Sequence, residues 1–490
     1  MSNRTHYVGN RWIEGAGEPM ASHDPASGEL VWEGTSASNG QVTEAIVAAR
    51  RALGDWERRP LGVREELLKT FARIVGENRD RLAEAICRET GKPMWEALEE
   101  ARAMVGKVTM SIDAQKRRRV ERFTEGMHST SEWHTWYRPV GVVAVMGPFN
   151  LPAHLPNGHI VPALLAGNTV VFKPSERTPL VGQLTAELWE LAGLPPGVFN
   201  MIQGGRSTGA SLCSHEGIDA VLFTGSYTGG RAIAKSVADR PERLLVLEMG
   251  GNNPLVVWDV KAVEAAAYGA ALSAFITAGQ RCSCARRLIV SDDAAGNEII
   301  ERVAAFARRM RVGPYTNRPE PFMGPVITAA AADSVLAAQN RLIDAGARPV
   351  LNVERIDTRG MLRPGVVDVT AVADRPDEEV FGPLLQVIQV EDFPAALREA
   401  NRTAYGLAAG IMTVRRDLHE VFKATVRAGV VNWNNPLTGA RSFLPFGGVG
   451  RSGNHRASSY FAADYCSDPV ASTESEVVAL PEKLENGIDE

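Results

Sequence analysis

Cys282, in Gly279-Gln280-Arg281-Cys282, and Glu248, in Leu247-Glu248-Met249-Gly250-Gly251, are the residues of this chain whose types could carry covalent chemistry. A thiol can add to a carbonyl carbon and hold the acyl group, and a carboxylate can take a proton from water. Together they are the minimum apparatus for oxidising an aldehyde through a thioester. A thiol reacts as thiolate, so its pKa must be lowered or its proton removed. Taken singly, each residue also has a plain reading. A cysteine between helical stretches is usually a small buried hydrophobe, and a Glu after three apolar residues can cap the following turn. Cys284, two positions on, is a rival thiol.

The elements that must position these residues follow from periodicity. Residues 41–58, 61–88 and 95–117 read as helices, with Leu67, Phe71, Ile74 and Val75 at helical spacing. Thr90-Gly91-Lys92-Pro93 supplies a glycine stop and a proline breaker. Residues 120–138 alternate polar and bulky side chains through Trp133, Thr135 and Tyr137, with Glu125-Gly126 as a turn, and predict an extended hairpin arm. Val142–Met146, Thr169–Phe172, Val198–Ile202, Ala220–Phe223 and Leu244–Leu247 read as strands, with helices such as Leu180–Leu191 and Gly230–Val237 between them. That alternation predicts a parallel sheet covered on both faces. The pattern restarts after Gly251 with Pro254–Trp258, Arg287–Val290 and Leu384–Val390. The expected class is α/β: two doubly wound parallel-sheet domains, 1–117 with 140–251 and 252–450, plus an arm. The arm comprises 118–139 and the tail 466–490, whose acidic end is expected to pair with the hairpin.

Composition sets the outer limits. The chain has 490 residues, 44% hydrophobic and 23% charged, ordinary for a soluble globular protein with ample core. A net charge of −5 argues against general nucleic-acid binding, and the run Lys116-Arg117-Arg118-Arg119 reads as a solvated helix end. The first residues show no secretory signal, and no apolar stretch is long enough to span a membrane. The cysteines at 87, 213, 282, 284 and 466 are too scattered for a disulfide scaffold. A reducing cytoplasm fits them and keeps Cys282 free. Cys282-Ser283-Cys284 is not a CxxC pair and no His cluster accompanies it, so no metal site is expected.

Further motifs flank the thiol. Asn150 sits in Pro148-Phe149-Asn150-Leu151-Pro152, by type a turn residue. Phe172-Lys173-Pro174-Ser175-Glu176 follows a strand, at the sheet edge where α/β folds bind ligands. Gly225-Ser226-Tyr227-Thr228-Gly229-Gly230 joins a strand to a helix whose first N–H groups can meet pyrophosphate, although it is not GxGxxG. Glu379-Val380-Phe381-Gly382-Pro383 and Pro445-Phe446-Gly447-Gly448 come later. These segments, in this order, resemble the NAD(P)-dependent aldehyde dehydrogenase superfamily over nearly the whole chain. The resemblance implies that fold, a dinucleotide-binding first domain, a thiol-bearing second domain and an arm joining subunits into a homodimer or homotetramer. It implies Cys282 as nucleophile, since the family's thiol stands two positions after the Gln. Glu248 becomes the general base, and Asn150 holds the oxyanion with the nucleophile's backbone N–H. For NAD it implies Lys173 and Glu176 at the adenosine ribose, Ser226 at the pyrophosphate, and Glu379 with Phe381 at the nicotinamide end. Members that pass the acyl group to coenzyme A commonly lack the base, so Glu248 favours hydrolysis to a free acid.

Two segments narrow the group. Gly450-Arg451-Ser452-Gly453-Asn454-His455-Arg456 with Tyr460-Phe461-Ala462-Ala463-Asp464-Tyr465-Cys466, and Asn150 to His159, resemble the enzymes acting on N-succinylglutamate 5-semialdehyde in bacterial arginine breakdown. Such a small-molecule substrate carries two carboxylates, for which Arg281, His154 and His159 are the expected partners, structural hydrogen bonding being the alternative. Another semialdehyde, such as succinate semialdehyde, is the rival reading. A non-catalytic member would be expected to have lost Cys282 or Glu248.

Overall fold

The computed structural model describes residues 4–125, 132–439, 441–480 and 484–488. Two seven-stranded sheets carry the chain. In the first the order is Leu244–Met249, Ala220–Gly225, Val142–Met146, Thr169–Lys173, Phe199–Met201, His6–Val8, Arg11–Ile13. The first five run parallel, and the amino-terminal pair closes one edge antiparallel. Val142, Ala144 and Met146 enter one apolar cluster, while Val143 and Val145 enter another. Successive side chains of a strand point to opposite faces, and both faces here are buried, so the strands read as unbroken apolar runs.

The second sheet runs Arg348–Leu351, Gly365–Asp368, Leu384–Val390, Ala285–Ser291, Asn253–Val257, Ala408–Met412, Val430–Trp433. It is parallel except at its Arg348–Leu351 edge. Its own core gathers around Leu255, Leu288, Val387 and Ile411. Two doubly wound sheets are therefore present, as the alternation of runs predicts. Glu132–Pro139 lies between Arg122–Glu125 and Ser467–Glu474, antiparallel to both, which is the expected pairing of hairpin and tail. Gly126 of the expected turn lies outside the described residues.

Several local expectations change. Residues 61–88 form two helices, Leu61–Glu77 and Arg79–Thr90, because Asn78 turns its amide back onto the Ile74 carbonyl at 2.9 Å. Asn offers the backbone this alternative to helical pairing. The second of these helices ends at Gly91 with φ +74, the stop anticipated there. The amino-terminal strands His6–Val8 and Arg11–Ile13, of 3 residues each, are too short to show an alternation. The basic run is a solvated end only in its first half: Lys116 and Arg117 are exposed, while Arg118 and Arg119 turn inward. Arg118 grips Asp464 at 2.5 Å and lies over the Phe461 ring, and Arg119 donates to the Ala463 carbonyl at 2.8 Å. Lys116 and Arg117 pair with Glu65 and Asp113. The run fastens the returning segment Ala462–Tyr465 to the first domain.

Candidate active site

Cys282 follows a turn that few sequences could hold. Helix Val263–Phe275 leads into Thr277, Ala278 and Gly279 with φ of +56, +51 and +70. Left-handed backbone costs about 1–3 kcal/mol at each non-glycine residue and persists only where the surroundings over-determine it. They do so here. Arg286 donates to the Gly279 carbonyl at 2.6 Å and to the Arg281 carbonyl at 3.0 Å. Asn150 Nδ2 donates to the Gln280 carbonyl at 2.9 Å, and Asn253 Nδ2 to the Cys282 carbonyl at 2.7 Å. Thr277 donates its hydroxyl to the Glu96 carboxylate and accepts from Arg281 Nε at 2.7 Å. Gly279 has no substitute, since a Cβ there would stand 2.1 Å from the Gly382 carbonyl oxygen.

The two thiols separate clearly. Cys282 is half-buried and lines a cavity of about 1180 Å³, whereas Cys284 is fully buried, 3.7 Å from the Ile276 carbonyl oxygen. Glu248 is the last residue but one of the strand Leu244–Met249 and faces the same cavity. It is buried, and its Oε1 has no hydrogen-bond partner. Burial therefore raises its pKa well above the carboxylate range. Its strand is held by Asn454, which accepts from the Leu247 N–H at 3.0 Å and donates to the Leu245 carbonyl at 2.7 Å. Burial first, then the Glu379 and Glu248 carboxylates, push the Cys282 thiol up to about 12. Glycines make room for both acids. A Cβ at Gly447 would lie 2.8 Å from Glu248 Oε1, and one at Gly250 only 1.7 Å from Glu379 Oε2.

Asn150, Gly225, Ser226 and Gly229 also line the cavity, as do Glu379 and Phe381. Glu379 accepts the Gly251 N–H at 3.0 Å and lies 3.8 Å from Arg286; burial raises its pKa, opposed by that arginine. Phe381 meets Phe149 edge-on with centroids 5.9 Å apart. Lys173, Glu176, Tyr227, Thr228 and Gly230 do not line the cavity. Lys173 is buried, its Nζ donating to the Pro174 and Gly204 carbonyls at 2.7 Å, with half-exposed Glu176 3.9 Å away. Ser226 caps helix Tyr227–Ser236 by accepting the Gly229 N–H at 3.2 Å. Thr228 is exposed, and Gly230 packs on Met249. This donor set fits a dinucleotide: an open helix N-terminus suits pyrophosphate, and carboxylates suit ribose hydroxyls.

The expected carboxylate partners come out differently. Arg281 lines the cavity, but its guanidinium is paired with buried Glu96 at 2.8 Å. His159 has both ring nitrogens engaged, by Tyr465 at 2.9 Å and Thr224 at 3.1 Å. Burial, then the charge of Lys107, lowers His154 and His159 each to about 3, so neither offers a positive charge. Sequence reasoning passed over Glu96, Asn253, Arg286, Lys107 and Ser459. A signal existed for the helix Met94–Arg118: Glu96, Glu100 and Lys107 share the spacing of its buried residues Met104 and Ser111.

The sequence profile of the Aldehyde dehydrogenase family matches residues 12–469. The chain is 50% identical over 485 residues, 99% of each protein, to the N-succinylglutamate 5-semialdehyde dehydrogenase of Ectopseudomonas mendocina (strain ymp). Its fold is similar to the NAD-dependent aldehyde dehydrogenase from Sinorhizobium meliloti, with TM-score 0.92, 28% identity, and coverage of 98% of this chain and 96% of that one. It is also similar to the NADP-dependent glyceraldehyde-3-phosphate dehydrogenase from Bacillus halodurans C-125 complexed with NADP, with TM-score 0.91, 28% identity, and coverage of 97% and 100%. Among the described residues no helix is long and apolar enough to cross a membrane.

A thiol held up to about 12 should react with iodoacetamide at a rate that keeps climbing across neutral and mildly alkaline pH. Peptide mapping of the cofactor-free protein should show Cys282 alkylation rising about tenfold per pH unit from 7 to 9, as the small thiolate fraction grows. A plateau below pH 8 would contradict this electrostatic picture.

Proposed function

The chain belongs to the aldehyde dehydrogenase family, and we propose that it oxidises N-succinylglutamate 5-semialdehyde to N-succinylglutamate, with NAD as hydride acceptor, in a cytoplasmic step of arginine breakdown. The half-identical relative bearing that substrate in its name supports the choice of aldehyde. The observation carrying the chemistry is that a half-buried thiol, a buried unpartnered carboxylate and an amide share one cavity. Enzymes of this family use NAD or NADP; Glu176 is the reason for choosing NAD.

In this reading Cys282 Sγ adds, as thiolate, to the aldehyde carbon. Asn150 gives one amide hydrogen to Gln280 and keeps the other for the oxyanion, alongside the Cys282 backbone N–H. Removing one such donor costs about 3–4 kcal/mol of barrier lowering. Bound nicotinamide supplies the hydride acceptor. Lys173 and Glu176 hold the adenosine ribose, the N-terminus of helix Tyr227–Ser236 takes the pyrophosphate, and Glu379 the nicotinamide ribose. Cys282 is left as a thioester. Glu248, kept unpaired and with a raised pKa, is suited to accept a proton from water near neutral pH. The hydroxide adds to the acyl carbon, the free acid forms, and the Cys282 thiolate departs. The arm, on which Trp133 and Trp136 are exposed, is read as the subunit contact of a homodimer or homotetramer.

A substrate panel followed by NADH absorbance tests the substrate. kcat/KM for N-succinylglutamate 5-semialdehyde should exceed that for succinate semialdehyde and for neutral aldehydes of similar length by about tenfold or more, the worth of one charge-assisted hydrogen bond. A preference for simple aliphatic aldehydes would remove the substrate and leave the chemistry standing.

Glu248→Gln should give a rapid burst of NADH in stopped flow and then slow turnover, because hydride transfer precedes the hydrolysis it impairs. Loss of the burst would assign Glu248 to making the thiolate, and full steady-state activity would remove it from the mechanism.

The preference for NAD follows from Glu176. Two unit charges about 4 Å apart interact by roughly 4 kcal/mol at an effective dielectric of about 20, and about a third of that gives tenfold. NADP as efficient as NAD in kcat/KM would sink this assignment.

A further inference from the structure

The proposed substrate carries two carboxylates into a cavity whose charges can be counted. Among the described residues, the Lys and Arg side chains lining it are Lys107, Arg281 and Arg341. Arg281 is neutralised by Glu96 at 2.8 Å and Arg341 by Glu378 at 2.5 Å. Lys107 has no carboxylate partner among the described residues. Its Nζ reaches one acceptor, Ser459 Oγ, at 3.4 Å. The side chain is nonetheless only 4% exposed. A buried ammonium without a counter-charge is unfavourable unless something completes its coordination.

The surroundings leave room for that completion and supply nothing else to do it. On the facing helix His154–Ala166, residue 158 is glycine, and a Cβ there would lie 3.7 Å from Lys107 Nζ. His154 and His159 on that helix are held neutral, in part by the charge of Lys107 itself. Glu100, about two turns back along the helix of Lys107, is committed to Lys92 and to the N–H groups of Ala153 and His154, at 2.9 and 3.1 Å. Glu96 is committed to Arg281 and Thr277. Asp113, further along, is taken by Arg117 and the Tyr460 hydroxyl. Ser459 donates its own hydroxyl to the Ser442 carbonyl at 3.0 Å, which turns its lone pairs toward the ammonium.

We propose that Lys107 is the specificity-determining cation of this cavity, binding a carboxylate of the substrate, with Ser459 positioning its ammonium. The inference rests on the proposed aldehyde and adds the residue that reads its charge, in the place first expected of Arg281. It also accounts for discrimination: a neutral aldehyde leaves the ammonium desolvated and unpaired, which disfavours binding more than a missing attraction would.

The test compares wild type, Lys107→Met, Lys107→Arg and Ser459→Ala on N-succinylglutamate 5-semialdehyde and on a neutral aldehyde of similar length. The ratio of the two kcat/KM values should fall about ten- to a hundredfold in Lys107→Met, chiefly through KM, with part restored in Lys107→Arg and a smaller fall in Ser459→Ala. A pH profile separates binding from a structural role. Burial lowers Lys107 to about 8, so the free enzyme carries the charge below that pH and loses it above. The wild-type preference for the charged aldehyde should therefore decline through pH 8 to 9, while the profile of Lys107→Met stays flat. Equal losses on both aldehydes, or a preference independent of pH in wild type, would overturn the proposal. Should Lys107→Met fail to fold, Ser459→Ala and the wild-type profile still decide. A wild type preferring succinate semialdehyde with the same Lys107 dependence would retire the substrate reading and keep Lys107. No preference for any carboxylated aldehyde would end both.

Discussion

Four consecutive carbonyls, from Gly279 to Cys282, are each held by a side chain from elsewhere in the chain. This is the constraint on which the site depends. A left-handed run such as Thr277, Ala278 and Gly279 persists only under restraints of this kind, and the thiol follows directly on it. The holding groups come from both halves of the molecule. Asn150 belongs to the loop after the strand Val142–Met146, and Glu96 to the helix Met94–Arg118; Arg286 and Asn253 belong to the second sheet. The Cys282 turn thus draws its restraints from both halves, which set the proposed nucleophile at the wall of the cavity.

The electrostatics follow from that placement. Glu248, Glu379 and Cys282 all leave water, and burial shifts each toward its protonated form. In the proposed chemistry Glu248 must therefore give up its own proton before it can take one from water, and its unpartnered Oε1 is the oxygen left free to do so. The close approach that couples them is a matter of size. Gly250 and Gly447 leave the space that the two carboxylates occupy, so these glycine motifs are legible as motifs for a steric reason.

What the sequence made legible has a common physical origin. Strands buried on both faces read as apolar runs, and alternation with helices fixed their parallel pairing. The arm showed in the period of two through Trp133, Thr135 and Tyr137, and Ser467–Glu474 does pair with it. What stayed hidden depends on contacts distant in sequence. The break at Asn78 turns on a side chain competing for one carbonyl. Arg118 and Arg119 looked solvated because Asp464 and Ala463, their partners, lie more than three hundred residues away. Arg281 looked free because Glu96, its counter-charge, is 185 positions upstream. A residue type announces a charge, and only the fold says whether that charge is already spent on a neighbour.

The helix Met94–Arg118 shows how one element can join fold and site. Its buried face carries Glu96, Glu100 and Lys107 where an ordinary helix would carry apolar residues. Glu96 restrains the Cys282 turn through Thr277 and Arg281. Glu100 pairs with Lys92 and accepts the N–H groups of Ala153 and His154, capping the helix that begins at His154. Breaking such a pair by removing one partner typically destabilises by about 3–5 kcal/mol, because the remaining charge is stranded. Lys107 stands apart on this face, as buried as its neighbours yet without their internal partners. Two of the three polar groups hold the walls of the cavity in place, and the third turns an unmatched charge into it. A helix that only had to pack would have no reason to keep that difference.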